Sequence, residues 1–445
     1  MNKILALILT VAISGFTQDF RQMGSNYYAY PTPTAKYTKA PVGYKPFYIS
    51  HYGRHGSRFH QPADHYHALY NTLAKADSAG KLTDLGKSLL ERAKFLDEYA
   101  APRAGDLTQL GVAQHQGIAK RMVKNFPEVF KNDAYVEAYA STSVRCVVSM
   151  AAFLEELHAL KPKVEIHQES GKYLMSFISP LDFGKIIGES NTPAWQKENE
   201  KLYSHVNPTR MMRSIFNDSN YIQKNVDAGD LFSKIYEIGN SLQGSPEIEF
   251  SFDDLWTEED LTARWHAQNA WWYSVLGNNP FAKKQGLDNA RPLLKNVLDV
   301  ADKVIAADTT KADKTAKAAK KTTATLRFGH DTVIIPFTAL LQLEKDSLKA
   351  GVETTDMENL HKVWRDYEIT PMAANVQFIF YKSAKKGSPI LVKVMLNEIE
   401  QKLPITCNQQ APSAGSGTLQ NCPAAPYYRW DDVREYYGKV ATTGK

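Results

Sequence analysis

The sequence predicts an α/β protein: a central mixed, mostly parallel sheet flanked by helices, with an inserted, mainly helical cap domain. Three observations predict it. Short apolar segments end in turns of small residues that run into amphipathic helices at 45–58, 134–145 and 323–332. Residues 166–310 then lose strand signals and carry helix-compatible stretches broken by Asn/Pro turns such as Asn278-Asn279-Pro280. Strand signals return afterwards. At 445 residues the chain also exceeds what one hydrophobic core usually organises, so a large domain with a second lobe is expected.

In chain order, residues 1–15, MNKILALILTVAISG, carry one lysine and an apolar stretch too short to span a bilayer comfortably. This predicts a signal peptide over 1–16 and a periplasmic or secreted mature protein. No cysteine follows it to carry a lipid, and no later segment is apolar enough to span a membrane. A polar, Tyr/Pro-rich lead-in (18–45) precedes the strand KPFYIS. Residues 83–99 and 108–126 open with a threonine able to cap a first turn and continue with helical apolar spacing. AYVEAYA (134–140) reads as a second strand, and Val147, Met150, Ala151, Leu154 and Leu157 place the next helix's apolar face. The Lys/Ala-rich run 309–321 reads as a solvated helix face rather than a binding element. TATLRF (323–328) is a third strand and TVIIPFTALLQLE an apolar helix. NVQFIFY and PILVKVML form a hairpin in outline, and YYRWDDVREYY a closing helix. The expected domains are therefore a discontinuous α/β core, 17–165 plus 320–445, and a cap over 166–319.

Composition narrows the function. Apolar content of 43% and charged content of 23% exclude wholesale disorder. A net charge of +5 over this length, with no basic arm, zinc-finger spacing or aromatic-basic repeat, gives no support for a nucleic-acid partner. Cys407 and Cys422 flank a Gln/Ala/Pro/Ser/Gly-rich loop and are expected to pair. Cys146, on the apolar helix, reads as a small buried residue.

The chemistry lies in the three turns. Arg54-His55-Gly56-Ser57-Arg58, Ser141 to Arg145, and Gly329-His330-Asp331 each sit where a strand ends and a helix begins. In an open α/β sheet such ends converge on one crevice, and helix N-termini favour anions. Three arginines and two histidines meeting there would bind a tetrahedral oxyanion through charge-assisted, partly bidentate hydrogen bonds. Taken singly, each turn is more often structural than functional; their joint placement carries the reading.

R-H-G-S-R at 54–58, L-T-Q-L-G at 107–111, S-T-S-V-R at 141–145, G-H-D-T at 329–332 and PMAANVQFIFY from 371 together resemble the histidine acid phosphatase and phytase branch of the histidine phosphatase superfamily. The resemblance spans roughly residues 45–400. It implies that His55 is the nucleophile that becomes phosphohistidine. Arg54, Arg58, Arg145 and His330 would hold the phosphoryl oxygens and Asp331 would be the proton donor, with no metal or other cofactor. The implied substrate is a small phosphomonoester, with phytate or other inositol phosphates among the candidates. Two departures stand out. His60 occupies a position commonly proline in the family, and His330-Asp331-Thr332 stands where the inositol polyphosphate phosphatase subgroup typically has His-Ala-Glu. The superfamily's mutase branch usually reads R-H-G-E and ends in a glutamate acid, so Ser57 and Asp331 favour hydrolysis.

Rival readings exist. The segment 51–67 holds His51, His55, His60, Asp64, His65 and His67, and such a tract can bind zinc and support a metal-dependent hydrolase. Arg54 and Arg58 within it would oppose a dication, and insensitivity to EDTA would tell the two apart. An exported phosphate- or phosphosugar-binding protein would need the arginines but neither a nucleophile nor an acid. A structural surface protein would have only the cysteine loop and the Tyr-rich lead-in behind it. Other phosphate chemistries lack their marks: there is no Cys-x5-Arg loop, and Gly80 with Gly86-Lys87-Ser88 misses the P-loop spacing.

Overall fold

Strand β1 (Tyr44–Arg54) runs through the interior of the sheet, buried on both faces from Phe47 onward. The computed structural model describes residues 19–34, 36–131, 133–282, 285–309, 321–407 and 422–442. The expected signal peptide, nearly all of the Lys/Ala-rich run and the segment between the two cysteines lie outside them.

The other sheet strands are β2 (Tyr135–Ala140), β3 (Glu165–Ser170), β4 (Thr322–Gly329), β7 (Asn375–Ser383), β8 (Leu391–Leu396), β9 (Ile399–Glu400) and β10 (Tyr428–Arg429); β5 (Glu344–Lys345) and β6 (Leu348–Lys349) form a separate small hairpin. The order is β10-β8-β7-β1-β4-β2-β3, with β9 paired to β8. β1, β4, β2 and β3 are mutually parallel, whereas β7 runs antiparallel to both of its neighbours, β1 and β8. This is the mixed, mostly parallel sheet that the sequence predicts.

Register explains why the three motif turns meet. Arg54 pairs with Gly329 across β1 and β4, and Ala140 pairs with Phe328 across β2 and β4. The chain therefore leaves all three strands at one edge, where His55, Ser141 and His330 follow. Helices Gln109–Asn125 and Val144–Leu160 cover one face, burying Ile118, Met122, Phe153 and Leu157 against Ile49, Val136 and Leu326. Helices Asp331–Leu341 and Arg291–Thr309 cover the other.

The inserted stretch is helical from Met175 to Thr309, and its apolar faces go to two places. Trp195, Leu202, Tyr273 and Leu294 join the core under the sheet. Met211, Ile235 and Trp265 instead pack with Leu69, Leu73, Leu89 and Leu96, from helices Asp64–Ser78 and Asp84–Tyr99. The helical packing around Met211, Ile235 and Trp265 is thus built from two distant parts of the chain.

Three local expectations need correction. β3, sequence EIHQES, was not expected to be a strand; it is an edge strand with largely exposed side chains, so it lacks the apolar signal that marks buried strands. The lead-in, read only as polar and Tyr/Pro-rich with no element assigned to it, contains the 3-10 helix Phe20–Tyr27 with Met23, Gly24, Ser25 and Asn26 buried. Finally, the closing helix begins at Trp430, since Tyr428 and Arg429 pair with β8 instead.

Candidate active site

The R-H-G loop keeps its path because two helices close on it. Thr108 caps the helix Gln109–Asn125, accepting from Gly111 N. A Cβ on Gly56 would lie 2.5 Å from the Gly111 carbonyl oxygen, so neither glycine tolerates a side chain here. Ser57 N donates to Gln114 Oε1 at 2.8 Å, Gln114 Nε2 donates to Ser57 Oγ at 2.9 Å, and Gly56 N donates to Ser149 Oγ at 3.2 Å. This gives L-T-Q-L-G its physical meaning: it is the wall against which the loop is cast.

His55 is buried, with Nδ1 2.9 Å from the Gly56 carbonyl oxygen. A carbonyl only accepts, so Nδ1 carries the proton and Nε2 keeps its lone pair. Burial first, then Arg54, Arg58, Arg145 and His330, hold the His55 pKa well below the usual imidazole range. Burial thus outweighs the neighbouring arginines that the sequence alone brings to mind. The ring of His330 faces His55 edge-on, with centroids 5.8 Å apart, and His330 Nε2 lies 3.0 Å from Ser141 Oγ. Burial and then Arg145 push His330 down to about 4.

Asp331 is the first residue of its helix, where the helix dipole favours an anion. Its Oδ2 lies 2.7 Å from Arg54 Nη2 and accepts from Asn26 Nδ2 at 3.0 Å, while Oδ1 accepts from Thr332 N at 2.9 Å. Burial alone would raise its pKa; Arg54, then Arg58 and His330, overcome that and hold it at about 2.

The three arginines do not share one environment. Arg54 is fully buried, and its Nη1 donates to the carbonyls of Asn26 at 2.6 Å and Thr370 at 2.7 Å. Arg58 donates to Phe59 O at 3.0 Å and lies over the Tyr27 ring. Arg145 is half-buried in the first turn of its helix. Among the described residues, the Nε atoms of all three are buried without a hydrogen-bond partner. Buried donors of this kind call for an explanation in each case.

Arg58, Arg145, His55, His330 and Asp331 border a cavity of about 660 Å³. Its lining also takes in Tyr203, Glu237, Arg264, Trp271 and Trp272 from the helices between Met175 and Thr309, together with Asn26 and Tyr27 from the lead-in. Sequence reasoning missed all of these. Nothing in the sequence around Asn26 reveals where it packs.

The histidine-rich segment disperses. His51 is buried in the sheet between Phe153 and Phe328, and His67 pairs with Asp97 on an exposed face. Only His60 and His65 meet, so the set from His51 to His67 does not form one metal site. Cys146 is buried, its thiol donating to Gly329 O at 3.1 Å, and burial pushes its pKa up to about 11. Cys407 and Cys422 are disulfide-bonded.

Comparison with known proteins fits this geometry. Residues 53–397 match the family model for the histidine phosphatase superfamily (branch 2). No curated protein sequence matches the chain. Among solved structures, the fold is similar to the Bifidobacterium longum multiple inositol polyphosphate phosphatase in complex with inositol hexasulfate, with a TM-score of 0.74 at 18% identity, covering 95% of this chain and 99% of that one. It is also similar to the phytase from D. castellii, with a TM-score of 0.61 at 14% identity over 95% of this chain and 86% of that one. The Hafnia alvei phytase in complex with tartrate gives 0.52 at 13% identity over 90% and 98%. With its motif turns gathered at one sheet edge and most of its length matched, the chain belongs to the histidine phosphatase superfamily, branch 2.

Proposed function

We propose that His55 carries the phosphoryl group in a two-step hydrolysis of phosphate monoesters, with inositol phosphates among the substrates. The protein is a phosphoric monoester hydrolase, the activity that goes with its family. The single observation that carries the His55 assignment is its hydrogen bond to Gly56 O, which fixes the tautomer with Nε2 free to attack.

In the first step Nε2 forms a bond to phosphorus as the ester P–O bond breaks. Arg58, Arg145 and His330, on the cavity wall, offer donors to the equatorial oxygens, where charge spreads in a loose transition state. Arg54 lies beneath them and serves through its charge and its grip on Asp331. The departing alkoxide takes a proton from Asp331. In the second step the Asp331 carboxylate accepts a proton from water, which attacks phosphorus and releases His55 and inorganic phosphate.

Asp331 at about 2 is ionised in the free enzyme, so the proton must enter with the substrate. A phosphomonoester has a second pKa near 6, so at pH 5 it arrives largely as the monoanion. Once its phosphoryl group meets the arginines, their hold on Asp331 is shared, and the proton can pass to the carboxylate. An acidic optimum follows.

Inositol phosphates are supported by the two kinds of similar structure, one named for inositol polyphosphates and two for phytase. A cavity lined by Arg58, Arg145 and Arg264, with Trp271 and Trp272 also on its wall, suits a substrate that is anionic and has apolar ring faces. Export is supported by the disulfide and by the apolar N-terminal sequence; no helix among the described residues is long and apolar enough to cross a membrane. The test is phosphate release from phytate and p-nitrophenyl phosphate at about pH 5 with EDTA, comparing wild type with His55→Ala. Activity that survives EDTA and collapses in the variant supports the proposal, whereas activity lost to the chelator and indifferent to His55 overturns it.

A further inference from the structure

His60, in the position commonly proline in this family, is not a filler. Its Nε2 lies 2.8 Å from His65 Nδ1, and Glu237 Oε2 lies 3.8 Å from the first nitrogen and 3.3 Å from the second. The mean side of that triangle is 3.3 Å. Zinc held tetrahedrally by nitrogen and carboxylate oxygen at about 2.0–2.1 Å requires donor–donor edges of about 3.3–3.4 Å. The individual edges run from 2.8 to 3.8 Å, so a zinc ion would replace the His60–His65 hydrogen bond and draw Glu237 inward, and the three donors come from a loop, a helix start and the helix Ala228–Ser241.

The surroundings support the same reading. His60 Nδ1 lies 2.7 Å from Tyr27 Oη, which also lies 3.4 Å from Arg58 Nη1. If Nδ1–H donates to Tyr27, the His60 lone pair is fixed on Nε2, facing His65 and Glu237; an outer partner of this kind orients metal-bound imidazoles generally. Glu237 Oε1 lies 3.8 Å from Arg264 Nη2, which leaves Oε2 turned to the histidines. His60 and Glu237 both border the phosphatase cavity. A fourth coordination position therefore opens onto the leaving-group side.

We infer that His60, His65 and Glu237 form a binding site for a divalent transition cation of the zinc class, with one coordination position open to the cavity. This goes beyond the phosphohistidine reaction and takes no part in it. The ion would place a fixed positive charge at the wall of the cavity that His60 and Glu237 border, where an oxyanion or hydroxyl of a bound molecule could become its fourth ligand.

The test is calorimetric titration of the chelator-treated full-length protein with Zn²⁺ alone, in wild type, His65→Ala, Glu237→Gln, Tyr27→Phe and the control His67→Ala. A parallel X-ray absorption spectrum of the loaded wild type reads the ligands. The inference predicts a single equivalent in wild type and in His67→Ala. Binding should weaken about 10–100-fold in Tyr27→Phe, the usual cost of losing an outer partner, and by more in His65→Ala and Glu237→Gln. The spectrum should show two imidazoles and oxygen at about 2.0–2.1 Å. No specific equivalent in wild type, equal binding in His65→Ala, or a spectrum with fewer than two imidazoles overturns it. Should a variant fail to fold by circular dichroism, the wild-type spectrum still decides. Repeating the titration in His55→Ala, where the inference predicts unchanged binding, separates the metal site from the catalytic proposal.

Discussion

Asp331 Oδ2 and Arg54 Nη2 lie 2.7 Å apart, so the proposed proton donor is held as a carboxylate by one of the arginines of the phosphate-binding motif. This pairing dictates how pH should act. With Asp331 at about 2 in the free enzyme, kcat/KM reports that value on the acid side and the substrate's own second phosphate pKa, near 6, on the other. Activity should fall above about pH 6 as the substrate dianion takes over. The alkaline limb should also move with the substrate when esters of different second pKa are compared. A limb that stays in place would show that an enzyme group sets it.

Asp331→Asn removes the donor while keeping the shape. For phytate, whose leaving group is a poor alkoxide, kcat should fall by about 10²–10⁴-fold. For p-nitrophenyl phosphate the loss in the first step should be far smaller, since nitrophenolate departs without a proton. Single-turnover rates of leaving-group release from the two substrates, which report the first step alone, check this.

Asn26→Ala tests the lead-in. Its amide donates to the Asp331 carboxylate at 3.0 Å, and losing a bond to a charged group, about 1.5–3 kcal/mol, should cost roughly ten- to 150-fold in kcat. The sign of the pH effect is also set. A hydrogen bond to the carboxylate lowers its pKa, so without it the acid limb of kcat/KM moves to higher pH. A pH profile of the variant against wild type reads both effects.

Gly56→Ala tests the cast of the loop. The added carbon would meet the Gly111 carbonyl at 2.5 Å, and overpacking of this sort costs about 1–3 kcal/mol. The urea midpoint should fall and activity on both substrates should fall with it, because His55 is the preceding residue.

Reduction of the Cys407–Cys422 bridge tests the stability that covalent closure adds. With a sequence separation of 15, the chain-entropy model gives about 3 kcal/mol. The Cys407→Ser/Cys422→Ser protein should unfold at lower urea while kcat on p-nitrophenyl phosphate stays near wild type, since neither residue borders the cavity.

What could be read from the sequence was what local chemistry encodes. Strand, small-residue turn and helix cap are all local signals, so β1, β2, β4 and the helices capped by Thr83 and Thr108 were legible, and with them His55, Arg145 and His330 at strand ends. The sheet's register then brought them together. Asn26, Tyr27, Glu237 and Arg264 were not legible, because each reaches the cavity from a distant part of the chain. Ser25 shows why: its hydroxyl bonds the buried Asp366 carboxylate, a partner that no window of sequence around Ser25 contains. β3 escaped for the opposite reason, as an edge strand whose side chains face water needs no apolar pattern. His60 looked like a lost proline, and only its approach to His65 and Glu237 gives it a role.

The most direct test of the central claim is a rapid-quench experiment on Asp331→Asn with p-nitrophenyl phosphate. In this variant the first step proceeds but the water of the second step lacks its base, so the intermediate should accumulate. The account predicts a burst of nitrophenol stoichiometric with enzyme, together with phosphate mapped by mass spectrometry of an alkaline-quenched digest to His55. No burst, phosphate on another residue, or steady turnover by His55→Ala would contradict it.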